Sequence, residues 1–151
     1  MTPVRRRPRR AFGAAVPVAE LGLRRLLLDT HVWLWWQAGD SRLGPRSRQL
    51  IQRASEVRFS AVSAWEIAIK CSIGKLTLPA DADIATELAH SGFLSLPVEL
   101  GHAEDVRRLP LLHRDPFDRL LVSQARVEAL TLVTADTQLA AYGISVADAT
   151  R

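Results

Sequence analysis

Four acidic residues are placed along the chain where they could bind one divalent cation: Asp29, Glu66, Asp118 and Asp136. Asp29 and Asp136 follow short apolar runs, whereas Glu66 and Asp118 lie in segments with helical periodicity. Carboxylates within a few ångströms of one another repel, and the pKa of one of them rises unless a cation intervenes. Carboxylate oxygens without a cysteine cluster favour Mg²⁺ or Mn²⁺ over zinc. If the fold brings these acids together, they predict a Mg²⁺ or Mn²⁺ site.

Helix capping offers an ordinary explanation for each acid taken alone. Asp29 and Asp136 could accept hydrogen bonds at the start of a helix. The segment Ser63-Ala64-Trp65-Glu66 has the pattern of a capping box, in which the glutamate bonds back to the N-cap residue. Asp115-Pro116-Phe117-Asp118 begins with a typical N-cap and places an acid in the first turn, where the helix dipole favours negative charge. Capping and metal binding therefore both remain open for the single residues.

The elements that must position these acids alternate between strand and helix. From Leu26 onward, short apolar runs alternate with helical periodicity, which is typical of an α/β domain with a parallel sheet. The predicted strands are 26–29, 57–61, 93–97, 130–134 and, with the weakest pattern, 144–146. The predicted helices are 30–37, 45–56, 64–73, 83–90, 101–109, 116–129 and 137–142. Strand-to-helix turns of a parallel sheet emerge at one edge, so the four acids should face one crevice.

The charge of the chain is concentrated at its beginning. The net charge is +4, but residues 1–25 contribute +6 and residues 26–151 sum to −2. The first segment could be a nucleic-acid-binding arm, a targeting signal or a stretch without fixed order, and we expect a disordered extension before a single folded domain at 26–151. Cys71 is the only cysteine, and no run approaches the roughly 18 apolar residues of a membrane span. We therefore expect a soluble, cytoplasmic protein.

Four motifs, in this order, resemble those of the PIN-domain ribonucleases of the VapC type over about residues 26–148. They are Leu26-Leu27-Leu28-Asp29-Thr30-His31, Ser63-Ala64-Trp65-Glu66-Ile67, Asp115-Pro116-Phe117-Asp118-Arg119 and Thr134-Ala135-Asp136. Any one of these motifs alone would be a weak signal, but the four together, on the expected elements, are specific. The resemblance implies a three-layer α/β/α sandwich with a short parallel sheet.

The resemblance also implies a function, which is that of a metal-dependent endoribonuclease serving as the toxin of a bacterial toxin–antitoxin pair. The family's catalytic and metal-binding acids carry over onto Asp29, Glu66, Asp118 and Asp136, with Asp29 and Asp118 as the main Mg²⁺ ligands. Asp115 matches an extra acid of the Asp-Pro-Phe-Asp-Arg subgroup. The family further implies a homodimer and a small antitoxin whose arginine-bearing tail covers the acidic pocket.

Other residues near the acids carry weaker predictions. Thr30 and Thr134 could orient a carboxylate or a water molecule, and Arg114 and Arg119 could contact an RNA phosphate. Because a lone histidine at a turn is more often a hydrogen-bonded structural residue, we do not predict His113 or His31 as ligands. The folded body is slightly acidic, so affinity for RNA must come from local basic residues. Single-stranded or looped RNA is the expected substrate, because unstacked bases can reach a shallow crevice.

Two other classes of protein fit part of the pattern. A phosphotransferase on a similar sheet would also gather acids at strand ends, but it needs a lysine at a later strand end, and the chain has only Lys70 and Lys75. A non-catalytic RNA- or protein-binding module could keep the same fold. An RNA cleavage assay with and without Mg²⁺ separates such a module from a nuclease.

Overall fold

A five-stranded parallel sheet forms the centre of the computed structural model, which describes residues 24–151. Its strands are β1 (Arg25–Leu28), β2 (Glu56–Ser60), β3 (Leu94–Leu96), β4 (Thr131–Thr134) and β5 (Val146–Asp148). All neighbours pair in parallel, in the order β3-β2-β1-β4-β5. The predicted parallel α/β sheet is confirmed, whereas most of the predicted basic extension at 1–25 lies outside the described residues.

Six α-helices and two short 3₁₀ helices connect the strands in the described part of the chain. The α-helices are α1 (Thr30–Ala38), α2 (Pro45–Arg53), α3 (Ala61–Ser72), α4 (Ile84–Ser91), α5 (Leu100–Asp105) and α6 (Pro116–Val127). The 3₁₀ helices are Val106–Arg108 and Thr137–Tyr142. None of the helices within 24–151 is long and apolar enough to cross a membrane.

Two boundaries differ from the sequence prediction for physical reasons. The helix predicted at 45–56 ends at Arg53, because Glu56 already pairs with Arg25 in the sheet. The helix predicted to start at residue 64 starts at Ala61, because the Ser60 side chain accepts a hydrogen bond from the Val62 N–H and caps it there. The last strand also lies two residues later than its weak pattern indicated.

The sheet separates two apolar cores. In β1, Leu26 and Leu28 pack into one core, whereas Leu27 packs into the other, as expected when successive side chains of a strand point to opposite faces. The first core includes Trp33 of α1, and the second includes Leu121 of α6. The helices therefore cover both faces, which confirms the three-layer α/β/α arrangement.

The strand ends that precede the acidic residues lie side by side. Leu28 pairs with Phe59 of β2 and with Val133 of β4. The Asp29 N–H then donates to the carbonyl oxygen of Val133 at 3.0 Å, which ties the end of β1 to the end of β4. This pairing brings Asp29 next to Thr134, the last residue of β4.

Candidate metal centre

Asp29 is the buried centre of the acidic group, with only 9% of its surface exposed. It is the N-cap of α1, and its Oδ1 accepts a hydrogen bond from the Thr30 N–H at 2.7 Å. Its Oδ2 accepts from the Thr134 hydroxyl, also at 2.7 Å. Burial raises the pKa of Asp29 although both of these hydrogen bonds favour the ionised carboxylate. Capping and membership of the acidic group are therefore compatible in this residue.

Glu66 is buried beside Asp29 and makes no capping box. Because α3 begins at Ala61, Glu66 lies in the second turn of the helix, so the capping-box interpretation with Ser63 is wrong. The Thr30 hydroxyl donates to Glu66 Oε2 at 2.7 Å and lies 2.9 Å from the Ser63 hydroxyl oxygen. Lys70, one turn further along α3, donates to Glu66 Oε1 at 2.7 Å. Thr30 thus connects two acids, through its backbone to Asp29 and through its hydroxyl to Glu66.

Asp118 shows most directly that the negative charges converge. It lies in the first turn of α6, and its side chain is partly buried. Burial, followed by the charges of Asp29 and Asp115, raises the pKa of Asp118 to about 7, and Glu66 adds to the shift. Asp115 itself is the exposed N-cap of α6, where its Oδ1 accepts from the N–H groups of Phe117 and Asp118 at 2.8 and 3.2 Å.

Asp136 joins the group through Thr134 and His113. Its N–H donates to the Thr134 hydroxyl oxygen at 3.0 Å, and that hydroxyl in turn donates to Asp29. The His113 Nε2 lies 2.9 Å from Asp136 Oδ2, and the His113 Nδ1 lies 3.5 Å from Asp118 Oδ2. One ring therefore stands between two of the four predicted acids, a position that the sequence analysis did not assign to it.

The two arginines predicted to contact RNA have different surroundings. Arg119 donates to the carbonyl oxygens of Pro110, Val106 and Leu109 at 2.8, 3.2 and 3.4 Å, and also to the Tyr142 hydroxyl. This geometry gives Arg119 a structural role, holding the segment before His113, and does not fit the predicted role as a phosphate contact. Arg114 is exposed in the loop that precedes α6.

The donor set fits a divalent cation. Four carboxylates lie near one edge of the sheet, and one lysine and one histidine contact them. Within residues 24–151, the group whose ligand atoms all lie within 4.8 Å of one another is Asp118, Asp136 and His113, and Asp29 and Glu66 are not part of it. Burial is the largest cause of the raised pKa of Asp29 and of Asp118, and the negative charge of neighbouring acids adds to both shifts. Hard carboxylate oxygens are the ligands that Mg²⁺ and Mn²⁺ prefer. Asp29, Glu66, Asp118 and Asp136 are the residues that would hold such an ion.

Two residues of the centre were not predicted as members, and only one of them carried a signal. Lys70 follows Glu66 by four residues on a helix, a spacing at which a glutamate and a lysine commonly pair. His113 reaches the acids through the course of a loop, and no local pattern in the sequence predicts that course. The two residues that the sequence analysis did not assign to the centre, Lys70 and His113, each place a side-chain nitrogen against a carboxylate.

Comparison with known proteins agrees with this geometry. The PIN domain family matches residues 26–144. Ribonuclease VapC22 of Mycobacterium tuberculosis is 28% identical over 118 residues, which cover 78% of this chain and 91% of that protein.

Two solved structures share the fold at low sequence identity. VapBC2 from Rickettsia felis, bound to a promoter DNA fragment, aligns with a TM-score of 0.62 and 14% identity over 82% of this chain and 97% of the other. DNA-bound VapBC from Salmonella typhimurium aligns with a TM-score of 0.59 and 15% identity over 83% of this chain and 98% of the other. These structures support the fold alone. With the family match over residues 26–144, the resemblance to PIN domains is confirmed: the chain belongs to the PIN-domain family.

Proposed function

We propose that this protein is a Mg²⁺- or Mn²⁺-dependent endoribonuclease and the toxin component of a toxin–antitoxin module that acts on RNA in the cytoplasm. The observation that carries the proposal is the clustering of acids around the buried Asp29, which hydrogen bonds through Thr30 and Thr134 join to Glu66 and Asp136. Burial, followed by the charges of Asp29 and Asp115, raises the pKa of the neighbouring Asp118 to about 7. The family membership and the similarity to Ribonuclease VapC22 support a nuclease.

The residues divide the work at the proposed metal centre. Asp29 and Asp118 would hold the cation directly, and Glu66 and Asp136 would bind it through water or complete a second position. A bound cation would lower the pKa of an attacking water molecule and neutralise charge on the phosphoryl oxygens. The hydrogen bonds from Thr30 and Thr134 hold the carboxylates of Glu66 and Asp29 in place. Rigid placement of the ligands is what keeps the reacting groups aligned.

RNA is a chemically reasonable substrate for the surface around this centre. The chain from residue 26 onward carries a net charge of −2, so long-range attraction of a nucleic acid is weak. We propose that Arg114, which is exposed and precedes the N-cap Asp115, contacts a phosphate of the bound RNA. A single-stranded segment, whose bases are free to leave the stack, suits such a site better than a duplex.

The rival classes fit the described residues less well. A phosphotransferase would use a lysine at a strand end, but Lys70 lies in α3 and is paired with Glu66, and Lys75 follows that helix. A non-catalytic binding module would have no need to keep carboxylates of raised pKa together, because their repulsion lowers the stability of the fold. The geometry therefore favours a hydrolytic metal centre.

We further propose that an antitoxin binds in the groove beside α1. The groove has a volume of about 870 Å³ and runs between α1 and the segment 75–84, with Trp35, Leu76 and Leu78 among its apolar lining. It also reaches Lys70, which touches Glu66. A partner segment lying in this groove would end beside the carboxylates, where an arginine could pair with them.

We also propose that two copies of the chain associate through the surface around β3. β3 is an edge strand, and its first residue, Leu94, is 50% exposed, while Leu100, at the start of α5, is 79% exposed. A cavity of about 530 Å³ opens beside β3 between α3 and α4, and it is lined mainly by apolar side chains such as Phe93 and Leu88. Exposed apolar patches next to an open sheet edge are typical of interfaces. A symmetric second copy would cover both features at once.

Replacing Asp29 by Asn tests the metal centre. The change keeps the volume of the side chain and removes one anionic ligand, so the rate of RNA cleavage in Mg²⁺ should fall by at least about 100-fold. The far-ultraviolet circular dichroism spectrum should stay the same, because the fold is preserved. The measurement is cleavage of a single-stranded RNA pool, with EDTA as the metal-free reference. Glu104→Gln, an exposed change on α5, is the matched control and should cleave normally. Full activity of Asp29→Asn would refute the assignment.

The pKa of Asp118 predicts how the metal-free protein responds to pH. The carboxyl group of Asp118 has a pKa of about 7 in the folded protein and of 3.8 in the unfolded chain, so the folded state binds its proton more tightly. The contribution of Asp118 to the free energy of unfolding therefore falls as pH rises towards 7. Asp118→Asn should therefore be more stable than the native protein at pH 8 by about 1 to 3 kcal/mol, and the difference should shrink towards pH 4.

Urea unfolding in EDTA at several pH values measures this difference. Added Mg²⁺ should stabilise the native protein much more at pH 8 than at pH 5, because protons compete with the cation for Asp118. The Asp118→Asn variant should lose most of that metal effect. Equal stabilisation of both proteins by Mg²⁺ would show that Asp118 is not a ligand.

The groove is tested with a VapB-like antitoxin protein, sought among the reading frames next to this gene. Trp35→Ala should weaken the complex by at least about 10-fold, because a tryptophan in a groove commonly contributes strongly to binding. Trp65→Ala is the matched control, since Trp65 is exposed on α3 and does not line the groove. Calorimetry gives both affinities. Equal losses in the two variants would place the partner elsewhere.

The dimer surface is tested by sedimentation of Leu94→Glu combined with Leu100→Glu. The native protein should sediment as a dimer at micromolar concentration and the double variant as a monomer, because buried charges oppose association. Leu111→Glu, at a position 91% exposed in another loop, should remain dimeric. A monomeric native protein, or a dimer that survives the double change, would contradict the proposed surface.

A further inference from the structure

We propose that His113 is a ligand of the cation, in a position that it shares with Asp118 and Asp136, and that its nitrogen makes the centre prefer Mn²⁺ to Mg²⁺. The proposal rests on the metal-dependent function proposed above and adds a residue and a metal preference to it. The acids alone form an all-oxygen site, which discriminates little between these two ions.

The geometry of the three side chains suits one ion. One ligand atom from each of His113, Asp118 and Asp136 can be chosen so that all three lie within 4.8 Å of one another. Ligand atoms around an octahedral ion with bonds of about 2.1 Å lie roughly 3 to 4 Å apart. Small side-chain rotations are therefore enough to bring the three donors onto a common centre.

An ion from solvent can reach the site, and the loop that carries His113 is held in place. The three side chains are partly exposed, with relative exposures of 27%, 23% and 37%, so an ion from solvent can reach them. His113 lies in the loop between Leu109 and the N-cap Asp115. Arg119 holds this loop by donating to the carbonyl oxygens of Leu109 and Pro110. These contacts of Arg119 thus fix the course of the chain that presents the imidazole to the acids.

A different role for His113 would use the same contacts. As a protonated cation, the ring could simply neutralise Asp118 and Asp136 while no metal is bound, and it would then leave when the metal arrives. The two roles differ in the bound state, because only a ligand places its nitrogen on the ion. They also differ in metal preference, since imidazole nitrogen is a common ligand of the later divalent ions and a poor one for Mg²⁺.

The experiment uses the full chain with Mn²⁺ as the only added metal and no RNA. Pulsed electron paramagnetic resonance detects a nitrogen nucleus bonded to Mn²⁺, and calorimetry gives the affinities for Mn²⁺ and Mg²⁺. The native protein should show nitrogen coupling, and His113→Gln should lose it. The variant should bind Mn²⁺ about 10- to 100-fold more weakly, with a much smaller change for Mg²⁺.

His31→Gln is the matched control, because His31 also lies close enough to Asp29 to influence its charge. This control should keep the nitrogen coupling and the Mn²⁺ affinity. A second variant, His113→Asn, should also lose the nitrogen coupling and the Mn²⁺ affinity. If its thermal unfolding in EDTA matches that of the native protein, the loss follows from removal of the imidazole and not from a disturbed fold. Equal metal affinities in the folded variants and the native protein would overturn the proposal.

The result also separates this proposal from the proposed function. If the native protein binds Mn²⁺ without nitrogen coupling, or if the coupling persists in His113→Gln, His113 is not a ligand, and the nuclease proposal stands. If the nitrogen coupling is present as expected but single-stranded RNA stays intact with either metal, the ligand assignment stands and the nuclease proposal fails.

Discussion

The repulsion between carboxylates gathered at one edge of a parallel sheet is the constraint on which the rest of this structure depends. The ends of β1, β2 and β4 lie side by side, so the residues that follow them share one crevice. Asp29 is buried there, and burial together with neighbouring charge raises the pKa of Asp118 to about 7. The fold accepts this local loss of stability, which is typical of residues kept for function.

Two threonines, one lysine and one histidine contact the crowded carboxylates and hold them in place. Thr30 bonds to both Asp29 and Glu66, and the Thr134 hydroxyl connects Asp29 to the backbone of Asp136. Lys70 pairs with Glu66 from the same helix. These contacts couple the positions of three acids, so a change at any one of them is transmitted to the others. Such coupling is what a centre needs if its ligands are to stay in place during a reaction.

The features that depend on local sequence pattern, such as strands and helices, could be predicted. The features that depend on the path of a loop through space could not. Alternating apolar runs and helical periodicity predicted the parallel sheet and, through it, that the strand ends would share one edge. The start of α3 was predicted three residues late because Ser63 mimics an N-cap, while Ser60 is the actual one. The placement of His113 depends on the distant contacts of Arg119, which no periodicity encodes.

The same uncompensated charge explains how one site could serve both a cation and an inhibitory partner. Lys70 and His113 already occupy the carboxylates in part, so a divalent ion must displace or recruit these groups when it binds. The groove beside α1 reaches Lys70, so a partner segment there would bring its own cation to Glu66. An arginine can pair with two oxygens of a carboxylate at once and compete with the metal for them. The metal ion that supports catalysis and the arginine that inhibits it would therefore compete for the same incompletely neutralised carboxylates.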